Sequence, residues 1–278
     1  MTAVVLATLC AVVYGTADFF GGLATRRSRV LAVVALSQTA GLVLVTLVLP
    51  FLPGVLTTRG LAWGMAAGVA GAVGLVLFYR ALATGVMSVV APITAITAAG
   101  LPVLFGLATG DRPEPVALGG VALALVAVLL VSRDSSPAAA GRGSGPVLAS
   151  LAAGAGFGGF FVLLSRAPDD DGMWPLFGAR LASVALIALL ALATRRTLRP
   201  GPGALHIIVA AGILDMAANV LFMLAQQRGL LSIVAVLVSL YPASTLLLAR
   251  HVLGERLNAV QVVGVGCTLA AVALIAAG

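Results

Sequence analysis

Two acidic side chains lie inside long apolar runs of this sequence, where a charge is costly. Asp18 lies in the first run and Asp215 lies midway along a later one, whereas the other acids lie in loops or near the ends of runs. A carboxylate at the centre of a lipid bilayer costs at least about 2.5 kcal/mol, and such residues mark substrate or proton sites by default. Both acids are therefore candidates for binding a solute or a proton.

Asp215 belongs to a stripe that is polar over most of its length. Asn219 follows at position i+4, Phe222 at i+7, and Gln226 a further four residues on. Residues at this spacing share one face of an α-helix, so we expect the stripe to form one wall of a binding cavity. The alternative is that Asp215 forms an ion pair with Arg180 of the preceding apolar run as a purely structural contact.

Asp18 has a polar neighbour one helical turn earlier, Tyr14, on the same predicted helix face. Arg80, near the end of the third apolar run, is a candidate counter-ion for this acid. Asp18 also lies only about two helical turns from the basic pair Arg26 and Arg27. A structural role near the membrane surface, where a charge costs less, is therefore an open alternative to solute or proton binding.

Prolines lie inside the fourth and ninth apolar runs: Pro92 and Pro102 in one, Pro242 in the other. A proline removes a backbone hydrogen bond, and paired interrupted helices point to a binding site at the membrane midplane. Simple helix bending is the alternative. The same two runs carry hydroxyl groups that could bind a solute there or bond to their own backbones. These are Ser88, Thr94, Thr97, Ser239, Tyr241 and Ser244.

Several kinds of chemistry have no support in the sequence. All 16 basic residues are Arg, so the chain has no lysine nucleophile and no Gly-rich phosphate-binding loop ending in Lys. Cys10 and Cys267 lie in the first and last apolar runs, and no His, Cys and acid residues have metal-ligand spacing. We therefore expect no cofactor and no metal. The net charge of +7 comes from arginines in short loops rather than on one face, so nucleic acid is not an expected partner.

The composition is that of a membrane protein. Hydrophobic residues make up 61% of the chain and charged residues only 9%, whereas soluble domains have roughly 45–50% and 25%. A helix that spans a bilayer needs about 20 mostly apolar residues, so the chain is predicted to be all-α with ten transmembrane helices. We place them at 2–23, 30–52, 61–83, 86–108, 115–131, 147–165, 174–193, 204–226, 230–249 and 257–277.

The ten predicted helices divide into two sets of five. Residues 134–146 are rich in Ser, Pro, Ala and Gly, which is typical of a flexible linker between a first repeat, 1–133, and a second, 147–278. At a constant offset of 144 residues, Phe78 aligns with Phe222 and Gly85 with Gly229, as do other pairs in these segments. Because each set has an odd number of helices, the second repeat should be inverted in the membrane, as in many transporters.

Two short motifs occur in both halves. Gly110-Asp111-Arg112 and Gly254-Glu255-Arg256 precede the last helix of each half, and Gly-x-x-Ser opens the fourth and ninth helices. With the ten-helix length, these motifs resemble the drug/metabolite transporter superfamily, and most closely its EamA-like family, over essentially the whole chain. The resemblance implies a secondary transporter, often an exporter of metabolites or amino acids, with both termini in the cytoplasm.

The arginines predict the opposite orientation. The loops after helices one, three, five, seven and nine, together with Arg80 near the end of helix three, carry 11 of the 16 arginines. By the positive-inside rule this places these loops in the cytoplasm and both termini outside. Both orientations remain open at this point.

We predict a secondary transporter working by alternating access, with a midplane cavity lined by helices one, three, four, six, eight and nine. The expected partners are a small polar metabolite or amino acid, a proton if transport is coupled, and the lipid of a bacterial plasma membrane. The close-packing motifs Gly64-x-x-x-Gly68 and Gly154-x-x-x-Gly158 are expected to act within a monomer, with a homodimer as the alternative. The competing functions are a membrane enzyme acting on a lipid-linked substrate, for which Asp169–Asp171 is the one acidic cluster, and a sensor or scaffold that transports nothing.

Overall fold

The computed structural model describes most of the chain, and the described residues are predominantly helical. The described ranges are 1–84, 87–131, 145–195, 197–253 and 258–277. The predicted linker, 134–146, falls almost entirely outside them. The α-helices in these ranges are α1 (Thr2–Thr25), α2 (Val30–Val48), α3 (Thr58–Thr84), α4 (Met87–Thr109), α5 (Pro115–Val131), α6 (Gly145–Leu164), α7 (Trp174–Ala193), α8 (Leu205–Gln226), α9 (Leu231–Val238), α10 (Tyr241–Leu253) and α11 (Ala259–Ala277).

The predicted ninth helix is broken in two. Helix α9 ends at Val238, and α10 begins at Tyr241, immediately before Pro242. The proline ring lacks an N–H and would clash with the carbonyl group four residues earlier if the helix continued. The backbone instead turns through Ser239 and Leu240, whose N–H groups bond to Ala235 and Leu237.

The predicted break in the fourth helix is absent, because α4 runs without interruption through both Pro92 and Pro102. Each proline removes one backbone hydrogen bond, a loss that a packed membrane helix tolerates. Only the second half of the chain therefore has an interrupted helix at this position, and the expected matched pair of breaks is wrong.

The outer surface is suited to lipid. Within the described ranges, seven helical segments are long and apolar enough to cross a membrane; α9 and α10 together form one of them. Three shorter apolar helices accompany them, at Ile93–Thr109, Pro115–Leu130 and Ala259–Ile275. Large apolar side chains such as Leu104, Leu192 and Leu269 are exposed on the outside of the bundle, where water would disfavour them. The protein is therefore a multi-pass helical membrane protein.

Helices pack mainly against the other half of the chain rather than against their own half. Helix α3 packs on α6 and α7, and its counterpart α8 packs in the same way on α1 and α2. Helix α4 packs on α6, as the α9–α10 segment packs on α1, and α5 packs on α11. Each principal contact thus has an equivalent when the halves are exchanged, and the two halves share one core.

Glycines allow the closest of these crossings. Gly68 of α3 lies against the backbone of Ala179, and a Cβ atom there would come 2.0 Å from that residue's carbonyl oxygen. Gly212, 144 residues later, lies in the same way against Ser37, with the carbonyl oxygen 2.2 Å from an added Cβ. Neither position has room for a larger residue unless the helices move apart. The predicted motif that includes Gly68 therefore packs within one chain.

Hydrogen bonds between loops tie the halves together at both ends of the bundle. In the loop before α2, Ser28 accepts a bond from the backbone N–H of Gly201 at 2.8 Å. In the loop before α7, Asp171 accepts a 2.6 Å bond from the hydroxyl group of Thr57, which precedes α3. The loops before α2 and α3 lie at opposite ends of α2, so these contacts lie at opposite ends of the molecule.

Candidate functional site

A cavity lies between the two halves, near the middle of the helices. Its volume is about 850 Å³, including the part open to the outside. All six predicted lining helices contribute, and α2 and α7 contribute as well. The residues that line it are Tyr14, Asp18, Gln38, Gly68, Gly71, Ala72, Leu75, Ala98, Ala99, Phe157, Phe160, Phe161, Leu176, Ala179, Arg180, Ser183, Asp215, Asn219, Ala235, Val238, Ser239 and Tyr241.

An ion pair between Arg180 of α7 and Asp215 of α8 forms the polar wall of this cavity. The guanidinium group also donates a hydrogen bond to the side-chain oxygen of Gln38 on α2, and its Nε lies 3.4 Å from the sulfur of Met216. The Arg180 side chain is 9% exposed and the Asp215 side chain 30% exposed. Arg180 is thus held from both halves, and the acid is the more accessible member of the pair.

Two neutral side chains extend the polar wall. Ser183, one turn after Arg180, donates a 2.9 Å hydrogen bond to the oxygen of Gln38. The amide nitrogen of Asn219 donates a 2.7 Å bond to the backbone carbonyl of Asp215. Its amide oxygen is buried and has no hydrogen-bond partner among the described residues. Because an unpaired buried acceptor costs about 1–3 kcal/mol, this oxygen is available to accept a further hydrogen bond.

Aromatic side chains form the wall beside Asp18. Tyr14 meets Phe161 edge to face, with ring centroids 6.3 Å apart, and Phe161 packs on the buried Phe222 at 4.4 Å. Tyr241 also lines the cavity, at the start of α10. Within the described ranges no side chain forms a hydrogen bond or an ion pair with Asp18. The cavity therefore has one paired acid and one unpaired acid.

Some predicted site residues lie elsewhere. Gln226 is the last residue of α8, about 16 Å along the helix from Asp215, and it does not line the cavity. Arg80 is exposed about one turn before the end of α3, where its long side chain can extend toward the membrane surface, and it is not a cavity residue. Pro102 is buried in α4 away from the cavity lining, while the side chains of Ser88 and Pro92 lie outside the described residues.

Two polar residues of the site, Gln38 and Ser183, are not predicted by the sequence analysis. Gln38 is the one amide side chain in the second apolar run. Burying an amide group costs free energy, so its presence in this run could have predicted a site residue. An alignment of α2 with α7 at an offset of 142 residues pairs Gln38 with Arg180, and these two side chains bond to each other in the structure. Ser183 gives no such signal, because serines commonly bond to their own helix backbone, as this one also does.

The arrangement of charges suits solute binding better than the competing functions. Of the acidic cluster Asp169–Asp171, the third member is buried and bonded to Thr57, so it serves to join two loops. No group of three potential metal ligands occurs in the part of the chain that the structure describes. The central cavity is thus the best candidate for the functional site.

Comparison with known proteins finds a family match for the second half of the chain. Residues 144–277 match the EamA-like transporter family, which is part of the drug/metabolite transporter superfamily. One solved crystal structure has the same fold as this chain, with a TM-score of 0.76 over 97% of this chain and 94% of the other, at 18% sequence identity. No curated protein matches the sequence. The family match over residues 144–277 suggests a membrane transporter of the drug/metabolite type.

Proposed function

We propose that this protein is a secondary transporter that exports a small polar metabolite by alternating access across the bacterial plasma membrane. The single observation that carries the proposal is the charged cavity between the halves. Arg180 and Asp215 of the second half bond to each other there, and Gln38 of the first half bonds to the same guanidinium group. A cavity assembled from both halves changes shape when one half moves against the other, which is the motion that alternating access requires.

The loop contacts support such a motion. Ser28 bonds to Gly201 at one end of the bundle, and Asp171 bonds to Thr57 at the other. Each bond joins one half to the other, so opening the cavity to either side means breaking the contact at that end. Both are partly buried contacts, worth about 1 kcal/mol for the neutral bond and about 1.5–3 kcal/mol for the bond to the carboxylate, which a solute-driven transition can overcome.

The proposed topology is ten spans in two inverted repeats, 1–133 and 147–278, joined by 134–146. The bond between Thr57 and Asp171 supports this topology, because it joins the loop before α7 to the loop before α3, and these two loops share an end if the second repeat is inverted. In this topology the start of the first helix and the end of the last helix lie on the same side of the membrane. The arginine-rich loops lie at the opposite end, and the positive-inside rule places that end in the cytoplasm.

The test compares metabolites inside and outside cells that produce wild-type protein, Asp215→Asn or the matched control Asp169→Asn, at equal amounts in the membrane. Asp169 is exposed in a loop, so its substitution removes an acid without touching the cavity. We expect one solute to leave wild-type and control cells faster than empty cells. The Asp215→Asn variant should lose this efflux. In this variant Arg180 loses its charged partner, and the cavity loses an accessible acid.

Efflux that survives in the Asp215→Asn variant would limit Asp215 to a structural role. A broad panel in which wild-type cells match empty cells for every solute would contradict transport itself.

A further inference from the structure

The loops before α2 and α8 meet at the arginine-rich end of the bundle. The hydroxyl group of Ser28 accepts a 2.8 Å hydrogen bond from the backbone N–H of Gly201. A Cβ atom added at Gly201 would come 1.9 Å from the carbonyl oxygen of Arg27, so the two backbones touch. Leu198 of the second loop packs against the apolar cluster that contains Ala24 of α1. The two halves are therefore in direct contact at this end.

This contact brings exposed positive charges together. Within the described ranges, the exposed arginines of the two loops are Arg26, Arg27, Arg29, Arg195 and Arg199. None of their side chains forms a hydrogen bond or an ion pair with another described residue. Neither loop contains an acid in its sequence. Like charges that are held close together repel, so the arginines oppose the contact between Ser28 and Gly201.

The opposite end of the molecule has a different arrangement of charge. There the halves are joined by a carboxylate, because Asp171 accepts a hydrogen bond from Thr57. The loops at that end contain both acids and arginines, as where Asp111 directly precedes Arg112. Positive and negative charges compensate each other at that end, whereas the charges around Ser28 are all positive.

The surroundings of the arginines fit the headgroup of an anionic phospholipid. Leu192 near the end of α7 and Leu205 at the start of α8 are exposed on either side of the second loop. A lipid whose acyl chains cover these leucines has its phosphate at the level of the arginines. Guanidinium groups bind phosphate through charge-assisted hydrogen bonds, and clusters of about four to eight basic residues beside a membrane helix attract anionic lipids. A soluble phosphate would gain the charges but not the apolar surface.

We propose that the headgroup of an anionic phospholipid binds between the loops before α2 and α8 and stabilises the contact between Ser28 and Gly201. The inference rests on the proposed transport function, in which this contact closes one end of the cavity, and it names a partner that regulates the closure. The negative headgroup offsets the repulsion among the arginines. In a bilayer without anionic lipid the repulsion remains, and this end opens more often.

The experiment measures hydrogen–deuterium exchange in the peptide that contains Gly201, because the backbone N–H of this residue is the donor of the contact. The full-length protein is placed in nanodiscs of phosphatidylcholine, or of phosphatidylcholine mixed with phosphatidylglycerol of the same acyl chains. We expect the anionic lipid to slow exchange of this amide at least about fivefold, the effect of one arginine beside an anionic membrane surface. The effect should largely disappear in about 1 M salt, which screens exposed charges.

A variant with fewer arginines separates repulsion from general structure. The double variant Arg26→Gln with Arg199→Gln removes one charge from each loop and leaves the hydrogen bond itself unchanged. In phosphatidylcholine this variant should exchange more slowly than the wild type, because less repulsion opposes the contact, and phosphatidylglycerol should slow it less. The matched control Arg228→Gln removes an exposed arginine at the opposite end and should behave as the wild type. Exchange of the peptide that contains Thr57 should not respond to the lipid.

Equal exchange in the two bilayers, or a double variant that responds to phosphatidylglycerol as strongly as the wild type, would overturn the inference. Equal slowing by glycerol phosphate in solution would assign the site to a soluble phosphate and would also overturn it. If the double variant does not fold, the two bilayers and glycerol phosphate decide with the wild type alone. A lipid response without efflux in the cell assay would leave the lipid site standing and contradict transport, and efflux without a lipid response would do the reverse.

Discussion

Helices α3 and α8 occupy equivalent places in the two halves, yet only α8 brings charge to the cavity. At an offset of 144 residues, Gly68 aligns with Gly212, and both lie against the backbone of a neighbouring helix. One turn further along, Gly71 aligns with Asp215, and both line the cavity. The comparison teaches that the repeat preserves the packing of this pair of helices, while only α8 of the pair brings a charged side chain to the cavity.

Helices α2 and α7 are a second pair of equivalent helices, and they show why the two halves cannot carry the same charged residue at the cavity. Gln38 of α2 and Arg180 of α7 are equivalent positions, and their side chains bond directly to each other. Two arginines facing each other at this short range would repel, whereas a neutral amide accepts a bond from the guanidinium group. A site close to the axis that relates the halves must therefore differ between them to hold a single guanidinium group.

The largest expected effect comes from removing Arg180, the one cation among the described residues of the cavity lining, which the second half contributes. Arg180→Leu leaves Asp215 without a counter-ion and should lower the free energy of unfolding by about 3 kcal/mol. The double variant Arg180→Leu with Asp215→Asn should recover most of that loss, because no unpaired charge remains. Unfolding of the purified protein in detergent measures both values.

The matched control for this prediction is Arg228→Leu. Arg228 is an exposed arginine just after α8 that bonds to the carbonyl of Leu224. Its loss should change stability by less than about 0.5 kcal/mol. Equal effects of the two arginine substitutions would show that the buried pair contributes nothing specific.

An intermediate loss of stability is expected at the two glycines that pack in the same way in the two halves. Gly68→Ala and Gly212→Ala should each destabilise the protein by about 1–3 kcal/mol, because the added methyl groups meet backbone oxygens of the neighbouring helices. The control is Gly119→Ala in α5, where an added Cβ meets nothing within 4 Å and the change should be neutral or slightly stabilising. Melting temperatures of the three variants test this, and clearly unequal losses at Gly68 and Gly212 would break the comparison between the halves.

The smallest effect on stability is expected when Asn219 of the second half is replaced by leucine, the residue at the equivalent position of the first half. Asn219 aligns with Leu75, and both line the cavity. Asn219→Leu removes a buried oxygen that has no partner among the described residues, so stability should stay within about 1 kcal/mol of wild type or rise slightly. Transport should nevertheless fall, since a solute loses an acceptor. Unchanged efflux from cells producing this variant would remove Asn219 from the binding site.

The arrangement of helices along the chain was largely predictable. Runs of about 20 apolar residues must form helices in a bilayer, and the predicted bounds lie within a few residues of the observed α1, α5, α7 and α8. The pairing of Arg180 with Asp215 was an explicit alternative, because an embedded acid needs a partner. The break after Val238 followed from Pro242, whereas the same reasoning was wrong for α4.

What the sequence by itself determined was which residues lie in helices and which of them share a face. Tyr14 and Asp18, like Asp215 and Asn219, share a face because of the 3.6-residue period of the helix, and the structure places all four at the cavity. Only the tertiary structure decided which residues of a shared helix face line the cavity. Gln226 continues the stripe of Asp215 yet lies beyond the cavity, and Gln38 enters the site from a helix with no polar stripe, because the cavity is defined by how helices from the two halves cross.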